Sequence, residues 1–126
     1  MKDAQQPAPP IIDSARTLYY AVTDGDVLFT NRIHLIVGGE RLGEVPCLAI
    51  CQNYRKPADI LLFFCDSNWE SQGVIALGSV EAAKAKAETG YPGISRKWVH
   101  AEAPKKELDR FLREEYQVDP ETEWWK

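Results

Sequence analysis

Two short apolar runs constrain the fold of this chain more than any other feature of its sequence. "PCLAICQ" (46–52) and "DILLFFCD" (59–66) carry apolar side chains at consecutive positions. A strand of this kind needs cover on both faces and is typical of the centre of a sheet. The connection between the two runs, "NYRKPA", is short and contains a proline. We therefore expect a hairpin of two central strands, with further structure packed on each side.

Further strands are predicted before and after this hairpin. "TLYYAV" (17–22) is rich in β-branched and aromatic residues and ends in the turn sequence "TDGD". "VLFT" (27–30) is predicted as a short return strand, and "RIHLIVGG" (32–39) alternates and ends at a glycine pair. After the turn "SNWES", the segment "GVIALG" (73–78) completes a meander.

Two helices are predicted after the meander. Ser79 is the expected N-cap of an alanine-rich segment with Gly90 as its stop, and "RKWVHA" (96–101) predicts one more short strand. Pro104 suits the first turn of a second helix, whose apolar residues recur at helical spacing. These apolar residues are Leu108, Phe111, Leu112 and Tyr116. The whole predicts an α+β fold, an antiparallel meander sheet of four to five strands with two C-terminal helices packed on it.

The length of 126 residues is that of one ordinary domain. Residues 1–14 are polar and proline-rich and are predicted to be a flexible arm, and residues 15–126 are predicted to fold. The N-terminal residues lack the apolar stretch of a signal peptide. The longest apolar run, "ILLFFC", is far shorter than the roughly 20 residues that cross a bilayer. We therefore expect a cytoplasmic protein without a membrane partner.

The charge balance disfavours nucleic acid as a partner. The formal net charge is −4, from 19 acidic and 15 basic residues. Proteins that bind phosphate backbones carry a broad basic surface instead. The acidic excess is concentrated in residues 101–126, which contain 8 acidic and 5 basic residues. Such a run is either a solvated helix face or a surface that attracts a basic partner.

The three cysteines are interpreted as core residues. An odd number fits poorly with a disulfide framework. Cys47 and Cys51 share one face of a predicted strand but lie about 13 Å apart along it. Two zinc-bound thiolates must each lie about 2.3 Å from the same metal ion, so this spacing does not suit a zinc site. Cys65 ends the partner strand and is expected beside residues 46–48. We expect small buried thiols and no cofactor.

The other polar motifs carry no catalytic pattern. Asp24 and Asp26 lack the remaining ligands of a calcium loop and are interpreted as turn residues. "GGERLG" lacks the lysine and serine of a phosphate-binding loop. His34 and His100 form no metal-ligand pair and are interpreted as structural or surface residues. No catalytic residue is therefore assigned.

The most distinctive surface is expected at the C-terminus, where Trp124 and Trp125 follow several carboxylates. Exposed aromatic side chains among acidic groups are typical of a patch that binds a partner. Trp69 and Trp98 lie beside turns and are expected mainly to fill the edge of the core. Trp69 with Asp66 is nevertheless kept as a second candidate patch. The residues assigned to partner binding are Asp66, Trp69, Glu114, Glu115, Asp119, Glu121, Glu123, Trp124 and Trp125.

One stretch carries a resemblance. Within residues 48–98, an "LAIC" strand precedes an "LLFFCDSNW" strand, a capped helix, "YPGI" and a tryptophan. This order resembles a diffuse group of small uncharacterised bacterial proteins. The resemblance implies a compact bacterial α+β domain and transfers no catalytic residue. Small acidic bacterial domains of this kind also look like immunity proteins, which neutralise a neighbouring toxin.

Three classes of function remain open from the sequence. The leading hypothesis is a non-enzymatic binding protein, an immunity or inhibitor protein that occludes a basic partner such as a toxin. The alternative is a small-ligand-binding protein or minor enzyme, with Cys65, His34 or Tyr19 near the mouth of a pocket on the sheet. The third is a homo-oligomeric scaffold, with residues 27–30 or the terminal tryptophans at the contact.

Overall fold

A computed structural model describes residues 7–30, 32–33, 35–122 and 124. It is an α+β fold built on an antiparallel sheet, as the sequence predicts. The strands are β1 (Ile11–Ile12), β2 (Ala15–Val22), β3 (Ile36–Val37), β4 (Glu40–Arg41), β5 (Cys47–Asn53), β6 (Ile60–Cys65), β7 (Ser71–Leu77) and β8 (Val99–His100). The helical segments are α1 (Val80–Gly90), a 3₁₀ turn (Ile94–Arg96), α2 (Lys105–Phe111) and a π-helical segment (Leu112–Tyr116).

The main sheet has the strand order β1-β2-β5-β6-β7, and β8 pairs with the same edge of β2 as β1 does, farther along it. The predicted central hairpin is confirmed, since β5 and β6 pair antiparallel with Cys47 opposite Cys65 and Gln52 opposite Ile60. The register of β2 against β5 shifts between Thr17 and Tyr19, which marks a β-bulge.

Strands β5 and β6 are covered on both faces, as their composition predicts. On one face, α1 lies over the sheet, and its fully buried Ala83 and Ala87 let the helix approach closely. Tyr91 follows α1 into the same core, where its hydroxyl accepts a hydrogen bond from the Val45 amide at 2.9 Å. The core side chains on this face include Leu48, Ile50, Leu62, Phe64 and Ile94.

The opposite face is lined by small side chains. Cys47, Ala49 and Cys51 of β5 pack there with Phe63 and Cys65 of β6. The start of the chain and Trp69 contribute its remaining cover, through Ile12, Ala15 and the half-buried Ala8. The cysteines therefore share a face with one another and not with α1.

A third apolar cluster attaches the C-terminal segment to the edge of the sheet. Leu108 of α2 and Leu112 of the π-helical segment are buried against Ile11 and Ala103. The helical path ends at Gln117, whose φ of 56° lies in the left-handed region. This confirms the amphipathic stripe predicted for the second helix, with its last turn widened to a π-helix.

The flexible arm predicted for residues 1–14 is too long. Ile11 and Ile12 form β1, are 2% and 3% exposed, and pair with β2. The connecting residues Asp13 and Ser14 both have positive φ, the pattern of a two-residue hairpin turn that is usually built with glycine. Thr17 bonds to the carbonyls of both Pro9 and Pro10 at 2.8 and 2.9 Å, so the described residues preceding β1 are held on the sheet.

Two predicted strands between residues 27 and 39 are also wrong in their extent. The amides of Leu28 and Thr30 donate to the carbonyls of Pro92 and Gly90, so residues 27–30 bond to the end of α1 and the loop after it instead of to a strand. Among the described residues of the segment 32–39, those of β3 form a strand, which makes a separate two-stranded hairpin with β4 through the Gly38-Gly39 turn.

The predicted start of α1 is confirmed. The Ser79 hydroxyl accepts a hydrogen bond from the Ala82 amide at 3.0 Å, as an N-cap does. Near the other end, Glu88 accepts hydrogen bonds from the Gly93 and Ser95 amides, and the Gly93 bond is the main reason that the pKa of its carboxyl is lowered. Within the described residues, the helices are too short and too polar to cross a membrane.

The burial of β1 gives a test of this fold. We expect Ile11→Ala to lower the free energy of unfolding by about 2–5 kcal/mol, because it removes buried methyl groups and leaves a cavity. Leu28→Ala is the control, since Leu28 is 63% exposed and its loss should cost within about 0.5 kcal/mol. Urea unfolding measures both. Equal stability of Ile11→Ala and wild type would instead mean that the arm is not part of the fold.

Candidate binding surface

The C-terminal carboxylates lie on a segment whose inner side is fixed to the core. Leu112 is 3% exposed, and Tyr116 packs against Phe111 with ring centroids 5.8 Å apart. Glu114 and Glu115 lie between them in sequence and are exposed. The amphipathic spacing that buries the apolar residues therefore presents both carboxylates to solvent.

Residues 117–122 continue this surface as a hydrogen-bonded turn. The Val118 amide donates to the Leu112 carbonyl at 3.1 Å, which ties the turn to the helical segment. The Asp119 carboxylate accepts from the Glu121 amide at 2.9 Å, and its carbonyl accepts from the Thr122 amide at 3.0 Å. Asp119 therefore caps this turn.

Trp124 packs into an aromatic group that closes the surface on one side. Its ring lies 5.0 Å from that of Tyr54 and 5.5 Å from that of Tyr116, both edge to face. Burial raises the pKa of the Tyr54 and Tyr116 hydroxyls. Trp124 is half-buried and is not a freely projecting anchor, since its ring packs on Tyr54 and Tyr116. Glu123 and Trp125 lie outside the described residues.

We name the set Glu114, Glu115, Asp119 and Glu121 the carboxylate surface. All four of its side chains are exposed. Glu121 lies 3.6 Å from the Lys105 ammonium, which is also paired at 2.8 Å with Asp109. An open groove of about 770 Å³ runs along the same helix. Its lining includes the cations Lys105, Lys106, Arg110 and Arg113. The C-terminal face is thus a mixed charged surface with an acidic excess, not a uniformly acidic one.

The second patch, Asp66 with Trp69, is not an exposed binding surface. Trp69 is 6% exposed and packs edge to face on Tyr20 at 5.5 Å. Its φ of 65° turns it back over the small side chains of the cysteine face, which leave room for an indole. The Asp66 carboxylate accepts from the Asn68 and Glu70 amides, as a turn former does. The interpretation of Trp69 as core filling is confirmed.

The cysteines lie in an environment that suppresses thiolate chemistry. Cys47 is 5% exposed, and Cys51 and Cys65 are fully buried. Burial raises the pKa of Cys47 to about 11 and that of Cys51 to about 12, and it raises the pKa of Cys65 further. All three are free thiols. Across the described part of the chain, no cluster of three histidine, cysteine or acidic side chains is suitable for a metal ion.

A row of polar and aromatic side chains along the edge of β2 escaped the sequence reasoning. The Lys84 ammonium lies 4.0 Å above the Tyr19 ring, and that ring lies 5.1 Å from His100. Glu102 accepts from Arg16 at 2.8 Å and lies 3.6 Å from His100. The row depends on the β-bulge, which brings Leu18 and Tyr19 onto the same face, and on β8 pairing with β2. Neither feature has a sequence signal.

Two of the residues expected around a ligand pocket, Tyr19 and Cys65, do not converge. Tyr19 packs with the α1 face of the sheet, Cys65 is buried on the opposite face, and His34 is not among the described residues. A small cavity does lie between Phe29, Leu42, Phe64 and Tyr91, but it measures about 10 Å³. That is the space of a single water molecule.

Comparison of the chain with protein-family models, with curated proteins and with solved structures finds no match.

The thiol environment gives a test of the cysteine interpretation. At pH 8, a pKa of about 11 leaves roughly one Cys47 thiol in a thousand ionised. We expect the native chain to resist Ellman's reagent and the urea-unfolded chain to react at all 3 cysteines. A thiol that reacts with the native chain as fast as with the unfolded one would contradict a purely structural role.

Proposed function

We propose that this chain is a non-enzymatic, cytoplasmic binding protein whose carboxylate surface receives a basic protein partner. One observation carries the proposal. Four exposed carboxylates lie on a segment that is already fixed to the core through Leu108, Leu112 and the Trp124 aromatic group. A surface that is ordered before binding loses little conformational freedom in the complex, which favours affinity.

The charges of the surface favour a cationic partner. Within the described part of the chain, the carboxylate surface makes one ion pair, between Glu121 and Lys105. Glu114, Glu115 and Asp119 therefore retain capacity for a partner's lysines or arginines. Carboxylates at the rim of an interface act mainly by steering association, and the overall charge of −4 adds to this attraction.

The cations of the adjacent groove would help the chain to discriminate between different basic partners. Arg110 and Arg113 line the groove beside Glu114. A partner with unbroken positive charge would meet these guanidinium groups unfavourably, whereas one with an acidic group in the matching place would not. The proposal therefore specifies a partner that is basic overall and carries at least one carboxylate within its contact surface.

An immunity or inhibitor protein is the class that fits this description best. Such a protein works by occlusion, so it needs a stable, preorganised surface and no catalytic group. The buried thiols and the separate positions of Tyr19 and Cys65, on opposite faces of the sheet, supply no observation that favours the enzyme alternative.

The proposal is tested by charge reversal against a matched control. Affinity capture with the purified chain from lysate of its native cell identifies the partner. We expect Glu114→Lys with Glu115→Lys to slow association at least about tenfold, because the double change reverses the steering charge. Biolayer interferometry at two salt concentrations measures the rates, and high salt should narrow the difference.

The control is Glu40→Lys with Glu44→Lys. It changes the net charge equally, but its residues lie in or just after the β3–β4 hairpin, which packs against β7 at the other edge of the sheet from α2. We expect its association rate to fall far less. Equal effects of the two double variants would show that only net charge matters, and no effect of either would contradict the proposed surface.

A further inference from the structure

The edge strand β7 lacks most of the usual protections against pairing with another strand, although its ladder with β6 skips Gln72, which marks a β-bulge near its start. It is the last strand in the order of the main sheet, and its ladder partner is β6. Its seven residues, "SQGVIAL", contain no charged residue and no proline. Natural edge strands are usually shortened, charged or interrupted by proline, because an open edge presents unpaired amides and carbonyls.

Exposed apolar side chains collect at this same edge. In the described part of the chain, the exposed large hydrophobic residues include Val74 of β7 and Ile36 and Val37 of the β3–β4 hairpin, at 43%, 62% and 42% exposure. The hairpin is seated against β7, because a Cβ at Gly73 would collide with the Leu35 side chain. The uncharged strand and the exposed residues of the hairpin therefore lie at the same end of the sheet.

We propose that β7 pairs antiparallel with β7 of a second copy of this chain, about a two-fold axis at Val74. Val74 is the central residue of the strand, and its neighbours Gly73 and Ile75 lie beyond the bulge in the regular part of the ladder. Val74 then lies opposite its own copy. Gly73 faces Ile75, Gln72 faces Ala76, and Ser71 faces Leu77 of the partner copy. Each pair is uncharged, and the sheets of both copies become continuous.

The charge distribution favours a second copy as the occupant of this edge. Two chains of charge −4 repel each other, and they approach with least repulsion where neither carries a charge. The Asp66 carboxylate accepts a hydrogen bond from Gln72 at 3.4 Å, and in sequence the acid nearest to the strand is Glu70, just before Ser71. In the proposed register it faces Gly78 of the other copy instead of a second glutamate. The proposed contact is isologous, as two-fold dimers require.

Cross-linking tests both the dimer and its register. Opposite residues of an antiparallel pair have Cα atoms about 4.5–5.5 Å apart, within the span of a disulfide. We expect Val74→Cys to cross-link rapidly with oxidised glutathione, because residue 74 lies opposite its own copy. The three native cysteines are buried, so they should not form competing disulfides. Ala76→Cys lies on the same exposed face but about 13 Å from its own copy, so it should not cross-link. A mixture of Gln72→Cys and Ala76→Cys chains should form the mixed dimer.

Light scattering supplies the independent readout. We expect wild type to reach twice the chain mass of 14.3 kDa as its concentration rises, and Val74→Lys to remain at 14.3 kDa. Val99→Lys is the matched control, since Val99 is 45% exposed and lies on β8, so it should dimerise as wild type does.

Two results would overturn the proposal. One is a wild-type monomer at every concentration up to about 1 mM, which would leave this edge to a strand of a different protein. The other is a dimer that persists unchanged in Val74→Lys, or that cross-links as fast through Ala76→Cys as through Val74→Cys. Either of these would place the contact elsewhere on the chain.

Discussion

The burial of β5 and β6 on both faces is the constraint from which the rest of the architecture follows. Residues 47–51 and 62–65 are all buried, so each side of the sheet must carry a second layer. On one side α1 supplies that layer. On the other side, Ile12, Trp69 and the half-buried Ala8 cover the cysteines, and none of the described helices contributes to this cluster. Small cysteine and alanine side chains suit this thin layer, which accounts for their position.

The same constraint limits where a binding site can lie. A sheet that is filled on both faces has little interior space for a substrate, and the cavity near Tyr91 holds about one water. Chemistry or binding must therefore use the periphery. The structure offers a fixed carboxylate surface beside the β1 edge and an uncharged strand at the β7 edge. These surfaces lie at opposite ends of the strand order, so one partner and one second copy could bind without competing.

The sequence predicts the central elements well because their signals are local. Consecutive apolar residues specify β5 and β6, and the Ser79 cap specifies the start of α1. The errors arise where tertiary contacts override local pattern. Ile11 and Ile12 follow prolines, which suggests a flexible arm. Burial of their side chains nevertheless stabilises them as a strand on the sheet. Residues 27–30 have strand composition, but the end of α1 and the loop after it take their backbone hydrogen bonds.

The candidate surface is likewise predictable from the sequence only where local spacing decides it. Helical spacing predicts that Glu114 and Glu115 are exposed, because Leu108 and Leu112 must be buried. Spacing does not predict that Lys105 reaches Glu121 or that Trp124 packs on Tyr54, since both contacts depend on how the chain folds back after Gln117. For Trp69, composition alone does not distinguish a residue that fills the core from one that binds a partner. The decisive fact is its left-handed backbone over a floor of small residues.

Amide hydrogen exchange followed by NMR tests the two-sided burial of the central hairpin most directly. The account predicts that the amides of residues 48–51 and 62–64 exchange only through global unfolding, at the full free energy measured by urea. It also predicts that residues 36–41 of the exposed hairpin exchange by local opening at a much lower free energy. Exchange of residues 48–51 as fast as that of residues 36–41 would contradict the account, because β5 could not then be a strand covered on both faces.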